Sequence, residues 1–219
     1  MNSEPAIAVP PKASPYKLVF TLGIAGFFSG LILVAVYLGT LPRIQANKAE
    51  ALRKAIFQVL PGCKAFKTLV FVGGKLVLRE SDSPGEGGEG RTLFAGYDEN
   101  SKFLGIAIPA SEPGFQDLIG VLLGYNPKLR EVIGLEILES KETPGLGDKI
   151  IKDQNFRANF LSLAVEPEIV SVKTGKKSAK NEVEAITGAT ISSKAIVRLL
   201  NKAVAKWREP IEEWTDENE

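Results

Sequence analysis

The apolar positions of this chain change period along its length, and each change marks a different kind of element. From Leu18 to Pro42 no charged residue interrupts the sequence. At about 1.5 Å of rise per residue, a helical run of that length crosses a hydrocarbon core of about 30 Å. Tyr16 and Tyr37 stand near its two ends, where interfacial aromatics are favoured, and Lys17 and Arg43 bracket it. The run is too long for the apolar region of a signal peptide, and no A-x-A-like cleavage site follows it. The expectation is a permanent single-pass anchor over residues 16–42. Beyond it Ala49, Leu52, Ile56 and Val59 recur at helical spacing, which predicts a connecting helix within 43–62, stopped by Pro61-Gly62.

Short apolar runs bounded by turn residues come next. They predict strands at 68–73, 76–79, 93–97, 103–108, 118–123 and 132–138, the last two joined through Gly124-Tyr125-Asn126-Pro127. A helix is predicted over 148–161 and a strand over 169–172. Ile191, Ala195, Ile196, Leu199, Leu200 and Ala203 form the apolar face of a final helix that should end before Pro210. The fold class is α+β: one domain over 63–209, between a Pro-, Ala- and Ser-rich tail at 1–15 with its membrane helix and a short C-terminal tail at 210–219. The Gly-rich segment 81–90 reads as a flexible loop; it lacks the G-K-[ST] ending of a phosphate loop.

Composition removes several chemistries. The chain has no histidine, which excludes a His general base, a His metal ligand and His-ligated haem. Its one cysteine, Cys63, cannot form an intrachain disulfide or hold an iron–sulfur cluster by itself. A net charge of +1 gives no reason to expect nucleic acid as a partner. Any redox chemistry must therefore come from an organic cofactor.

Two short motifs carry the remaining chemistry. Thr187-Gly188-Ala189-Thr190, read on through Ile191-Ser192-Ser193, stands directly before the last amphipathic helix. A helix N-terminus offers unpaired N–H groups and positive potential, so it suits a phosphate, and Gly188 permits a tight turn. The plainer alternative is an ordinary N-cap, for which Thr and Ser are favoured. Glu142-Thr143-Pro144-Gly145-Leu146-Gly147 follows the strand at 132–138. Pro144 fixes one backbone angle and both glycines allow φ > 0, so the loop takes a tight, defined path. It is either a structural turn or a backbone lining for a flat aromatic ring.

Taken together and placed behind one membrane helix, the two motifs resemble the covalent-FMN subunits of bacterial ion-translocating redox complexes. These are the G subunit of the Rnf complex and the C subunit of the sodium-translocating NADH:quinone reductase. The short chain and single span look more like the former. The resemblance implies that 63–209 is an FMN-binding domain, with FMN esterified through its phosphate to Thr190 by a separate flavin transferase. It implies contacts from Thr187, Gly188, Ala189, Ser193, Glu142, Thr143, Pro144, Gly145, Leu146 and Gly147, and no metal. The family carries Asp where this chain has Glu184, a position tied to transferase recognition. It often carries His where this chain has Ser140, so no proton relay is assigned there. The implied role is an electron relay among the subunits of an ion-translocating ferredoxin/NAD oxidoreductase. Alternatives are the role of the quinone-reductase subunit, a free-standing anchored FMN carrier, and a structural module whose threonines only cap a helix. The implied location is the bacterial cytoplasmic membrane with the flavin domain on its outer side. The flanking charges, Lys12 and Lys17 before the span against Arg43, Lys48, Arg53 and Lys54 after it, lean mildly the other way.

Overall fold

A computed structural model describes residues 14–79 and 91–218. The loop expected at 81–90 and the tail expected at 1–15, up to residue 13, lie outside the described residues. The chain divides into two compact units, Met1–Ala46 and Asn47–Glu219.

The first unit is helical from Pro15 onward. Helix α1 covers Pro15–Val59, so the anchor and the connecting helix are one element rather than two. Pro42 lies inside it and forgoes only the bond its missing N–H would have made to the Leu38 carbonyl. The apolar window of this helix has a mean hydropathy of 2.3 and none of it is buried in protein. An apolar surface of that extent is at home in lipid.

In the second unit, seven strands among the described residues form one antiparallel sheet: β1 (Ala65–Val72), β2 (Lys75–Arg79), β3 (Thr92–Tyr97), β4 (Phe103–Pro113), β5 (Leu118–Asn126), β6 (Glu131–Glu139) and β7 (Leu163–Ala164). Their order is β2-β1-β3-β4-β5-β6-β7. Between β6 and β7 lie α2 (Lys149–Lys152) and α3 (Gln154–Ala158); then β8 (Val170–Lys173) pairs in parallel with β9 (Glu182–Ala185), and α4 (Thr190–Asn218) closes the chain.

The central strands are apolar on both faces because a helix covers each one. Leu93, Ala95, Ile106, Ile108, Val121 and Leu123 share a core with Ile196, Leu199, Leu200, Ala203 and Trp207 of α4. The residues between them, Phe94, Ala107 and Leu122, point the other way, onto Ala55, Ile56 and Val59 at the end of α1 and onto Leu60. This is the period-2 alternation of a strand with two buried faces. The end of α1 comes so close to the sheet that Gly124 and its cross-strand partner Gly134 have no room for a side chain. A Cβ at Gly124 would lie 2.0 Å from the Val59 carbonyl oxygen, and one at Gly134 would lie 2.5 Å from it.

Several boundaries depart from the sequence reading. β5 runs through Gly124, Tyr125 and Asn126, which are paired strand residues and not a connection. The helix expected over 148–161 is two short helices, because the Asp153 carboxylate accepts the N–H groups of Asn155 (2.9 Å) and Phe156 (3.1 Å) and starts a new one. The final helix does not stop before Pro210, so 210–218 is not a tail. Ile211, Trp214 and Thr215 are buried, and the Trp214 ring meets Phe103 at 5.8 Å, which outweighs the one bond lost at the proline.

Gly124→Val should destabilise the soluble unit by about 3 kcal/mol or more, because its side chain would meet backbone that cannot move aside. Thermal unfolding of the solubilised protein checks this, with Gly120→Val as the control. A Cβ at Gly120 meets nothing nearer than 3.5 Å, so that variant should melt near wild type.

Candidate functional site

Three segments meet at one buried carboxylate. Glu142 is 6% exposed. Its Oε1 accepts the N–H groups of Phe115 (2.8 Å) and Gln116 (3.1 Å) in the β4–β5 turn, and its Oε2 accepts the Ser192 hydroxyl (2.7 Å) in the first turn of α4. Burial by itself pushes the Glu142 carboxyl up. The Ser192 hydroxyl and the N–H groups of Gln116, Phe115 and Asp117 outweigh it and hold the pKa below the ordinary 4.5. The loop that carries Glu142 is tied down at further points. Thr143 Oγ1 donates to Gln116 Oε1 (3.0 Å), the Thr143 carbonyl accepts the Leu146 N–H (3.1 Å), and Asp148 Oδ1 accepts the Gly145 N–H (2.7 Å). Ser140 Oγ accepts the Glu142 N–H at 3.3 Å.

The two loop glycines serve different needs. Gly145 has φ +80°, the left-handed turn the sequence predicts. Gly147 is not left-handed, contrary to that expectation. A Cβ there would lie 2.4 Å from Glu142 Oε2, so the missing side chain is the space in which the carboxylate sits.

The Thr187–Thr190 motif leaves β9 directly. Thr174 Oγ1 donates to the Ala185 carbonyl (2.7 Å) and stands 3.5 Å from Thr187 Oγ1. Gly188 turns with φ +86°. The Ala189 N–H closes the turn on the Ile186 carbonyl (3.0 Å), and the Ala189 carbonyl accepts the Ser193 N–H (2.9 Å). Ala189 is therefore the N-cap and Thr190 the first helical residue. Neither threonine hydroxyl caps the helix. Among the described residues no side chain accepts a hydrogen bond from the N–H groups of Thr190, Ile191 or Ser192. Thr190 is exposed, and among the described residues its hydroxyl makes one hydrogen bond, a long 3.5 Å one to the Ile186 carbonyl.

Two further residues of the sequence reading order the turn. Ser193 is fully buried; its Oγ donates to the Ala189 carbonyl (2.9 Å) and accepts the Ile186 N–H (3.1 Å). It locks the turn from within. Glu184 Oε1 accepts the N–H groups of Gly175 (2.9 Å) and Lys177 (3.3 Å), so it orders the turn beside the motif.

The motifs are brought together by residues that the sequence reading did not single out. Ser192 links the helix start to Glu142, and Lys149 Nζ lies 3.8 Å from where a Cβ on Gly188 would stand. Phe115, Leu146 and Ile191, one on each converging segment, are 66%, 52% and 53% exposed. An exposed hydroxyl, uncapped N–H groups and an ammonium fit a phosphate; exposed apolar side chains beside them fit a flat ring.

Because the Glu142 pKa is depressed in the fold, its contribution is present above the ordinary value and is lost as pH falls through the folded value. Glu142→Gln should lower stability near neutral pH by about 1–3 kcal/mol, and the gap from wild type should shrink as pH drops below 4.5. Thermal melts of both proteins across that range measure it.

Residues 114–205 match the FMN-binding domain family. The matched stretch contains the Phe115–Gln116 turn, Glu142, Lys149, Glu184, Thr190 and Ser192. The chain is 26% identical over 188 residues to the G subunit of an ion-translocating oxidoreductase complex from Methanosarcina acetivorans, covering 86% of this chain and 92% of that one. It is 29% identical over 191 residues to the G subunit of a proton-translocating ferredoxin:NAD(+) oxidoreductase complex from Clostridium ljungdahlii, covering 87% and 90%. The fold is that of the crystal structure of Shewanella oneidensis NqrC, with a TM-score of 0.61 at 15% identity over 77% of this chain and 99% of that one. Among the described residues one apolar helix is long enough to cross a membrane, residues 114–205 match the FMN-binding domain family, and over most of its length the chain is similar to the G subunits of ion-translocating oxidoreductase complexes, on the fold of NqrC.

Proposed function

We propose that this chain carries FMN esterified through its phosphate to Thr190 and relays electrons between neighbouring subunits of an Rnf-type ion-translocating ferredoxin/NAD oxidoreductase. The observation that carries the reading is the Thr190 hydroxyl, exposed at the first residue of α4 and not used to cap the helix, which Ala189 begins. Bound flavin supplies one- and two-electron chemistry that no side chain of this chain offers. The residues do the rest. Gly188 and the buried Ser193 aim the Thr190 hydroxyl outward. Glu142 fixes the loop at 142–147 against the same helix start, and Phe115, Leu146 and Ile191 give the ring an apolar surface. A covalent tether keeps the carrier at a high effective concentration for its partners. A flavin transferase makes the bond, with Glu184 ordering the turn it must recognise.

Thr190→Val, made alongside a flavin transferase, should lose all covalent flavin while the domain stays folded. Thr187→Val should lose only part, since its hydroxyl orients the turn. In-gel flavin fluorescence after denaturation reads both, and a fluorescent Thr190→Val chain refutes the attachment.

We place the flavin domain outside the cytoplasm. The native thiol is a poor reporter of this. Cys63 is buried and donates to the Ala65 carbonyl at 3.2 Å, and burial pushes its pKa above the ordinary thiol value. Glu99→Cys, at an exposed turn, in a Cys63→Ala chain gives an accessible probe. An impermeant maleimide should label it in intact spheroplasts. Labelling that needs a permeabilised membrane would put the domain on the cytoplasmic side.

A further inference from the structure

We propose that Lys149 is the cation that holds the phosphate of the nucleotide carried on Thr190; this rests on the flavin reading above. Lys149 opens α2 immediately after the Glu142 loop, and its backbone N–H is bonded to the Leu146 carbonyl at 3.3 Å. The side chain leaves that loop and brings Nζ to 3.8 Å from the Cβ position of Gly188, inside the motif that ends in Thr190. Gly188 has no side chain there, so nothing of its own stands between the ammonium and the turn.

The local charges explain why this lysine is free for the task. Asp148 is the acidic neighbour that would ordinarily pair with it. Its Oδ1 already accepts the Gly145 N–H (2.7 Å), and its Oδ2 accepts Lys152 Nζ (2.5 Å). Among the described residues Lys149 makes no hydrogen bond or ion pair through its side chain, although it lies close enough to help lower the Asp148 pKa. An ammonium without a protein partner is available to meet an anion placed at the Gly188 turn. A phosphodiester keeps one negative charge and two free oxygens, and a lysine meets such a group as a point charge. The N–H groups at the head of α4 approach the same anion from the protein side. Lys149 would thus couple the two motifs electrostatically: the loop that offers the ring an apolar surface also supplies the charge for the phosphate.

The test uses the full-length chain made with a flavin transferase and solubilised in a phosphorus-free detergent. The readouts are the intact mass, the phosphorus NMR resonance of the diester and the fluorescence anisotropy of the flavin. In Lys149→Gln the diester resonance should move toward that of a free phosphodiester and the anisotropy should fall. Lys149→Arg should restore both, and Lys152→Gln should keep the wild-type resonance. A loaded Lys149→Gln chain with wild-type resonance and anisotropy overturns the proposal, as does a Lys152→Gln chain that shifts as far. If Lys149→Gln fails to load while Lys149→Arg loads, the charge is required before the bond is complete, which supports it. If both fail to load with folded spectra, charge is not what the position supplies and the proposal falls. A wild-type chain that never gains flavin mass refutes the attachment at Thr190 itself, a failure separable from the others because it appears before any Lys149 variant is compared.

Discussion

The carboxylate of Glu142 is buried among neutral donors, and that arrangement dictates much of the geometry around it. A charge removed from water must be met by hydrogen bonds placed to receive it. Here they come from two places distant in sequence from the loop and from each other: the β4–β5 turn and the first turn of α4. Removing any one donor would leave a buried charge under-solvated. The segments are therefore held in register by the cost of separating them. The glycines follow from the same constraint. Gly114 and Gly147 stand where a Cβ would lie 2.4 Å from one or other Glu142 oxygen. What reads in sequence as flexibility is, at these two positions, an absence of volume.

The sheet makes that convergence possible. β4 and β5 form a long antiparallel pair, with Pro113 opposite Leu118 at the end where the Phe115–Gln116 turn projects. β6 runs beside β5 and delivers the Glu142 loop to the same end. α4 crosses the opposite side of the core from α1, and Lys202 bonds both oxygens of Glu112 at 2.8 Å, pinning the helix to β4 next to that turn. The pair also keeps a second, buried carboxylate near the site occupied. The node thus depends on ordinary packing beneath it, and disturbance of the α1–sheet contact at Gly124 would reach it only through the whole sheet.

Much of this was legible in the chain. The membrane helix, most of the strands and the stop at Pro61-Gly62 follow from apolar period and turn residues. The boundaries that differ have local causes. Pro42 and Pro210 read as ends, yet each removes a single backbone bond, and the buried Trp214 and Ile211 carry α4 onward regardless. β7 escapes a pattern search because it is two residues long, and β9 because Glu182-Val183-Glu184-Ala185 contains no apolar run. Both motifs were visible as motifs. Their joining was not, because Ser192 and Lys149 carry no pattern of their own and acquire meaning only from what the fold sets opposite them.

The choice of alanine at the helix cap bears directly on the chemistry. A threonine at that position would turn its oxygen back onto the N–H groups of the second or third helical residue, satisfying the helix and hiding the hydroxyl. One residue later the side chain has helical geometry and can only reach back toward the preceding turn, as the long bond from Thr190 to the Ile186 carbonyl shows. The stability forgone by leaving the cap empty, about 1 kcal/mol, is small against a core of this size. It leaves N–H donors without a side-chain acceptor and a hydroxyl together at the surface. The buried Ser193 supplies the stiffness that a cap would otherwise have given, by bonding the turn from inside. The motif thus separates two tasks that one capping threonine would merge: holding the helix start in place, and keeping an oxygen free at it.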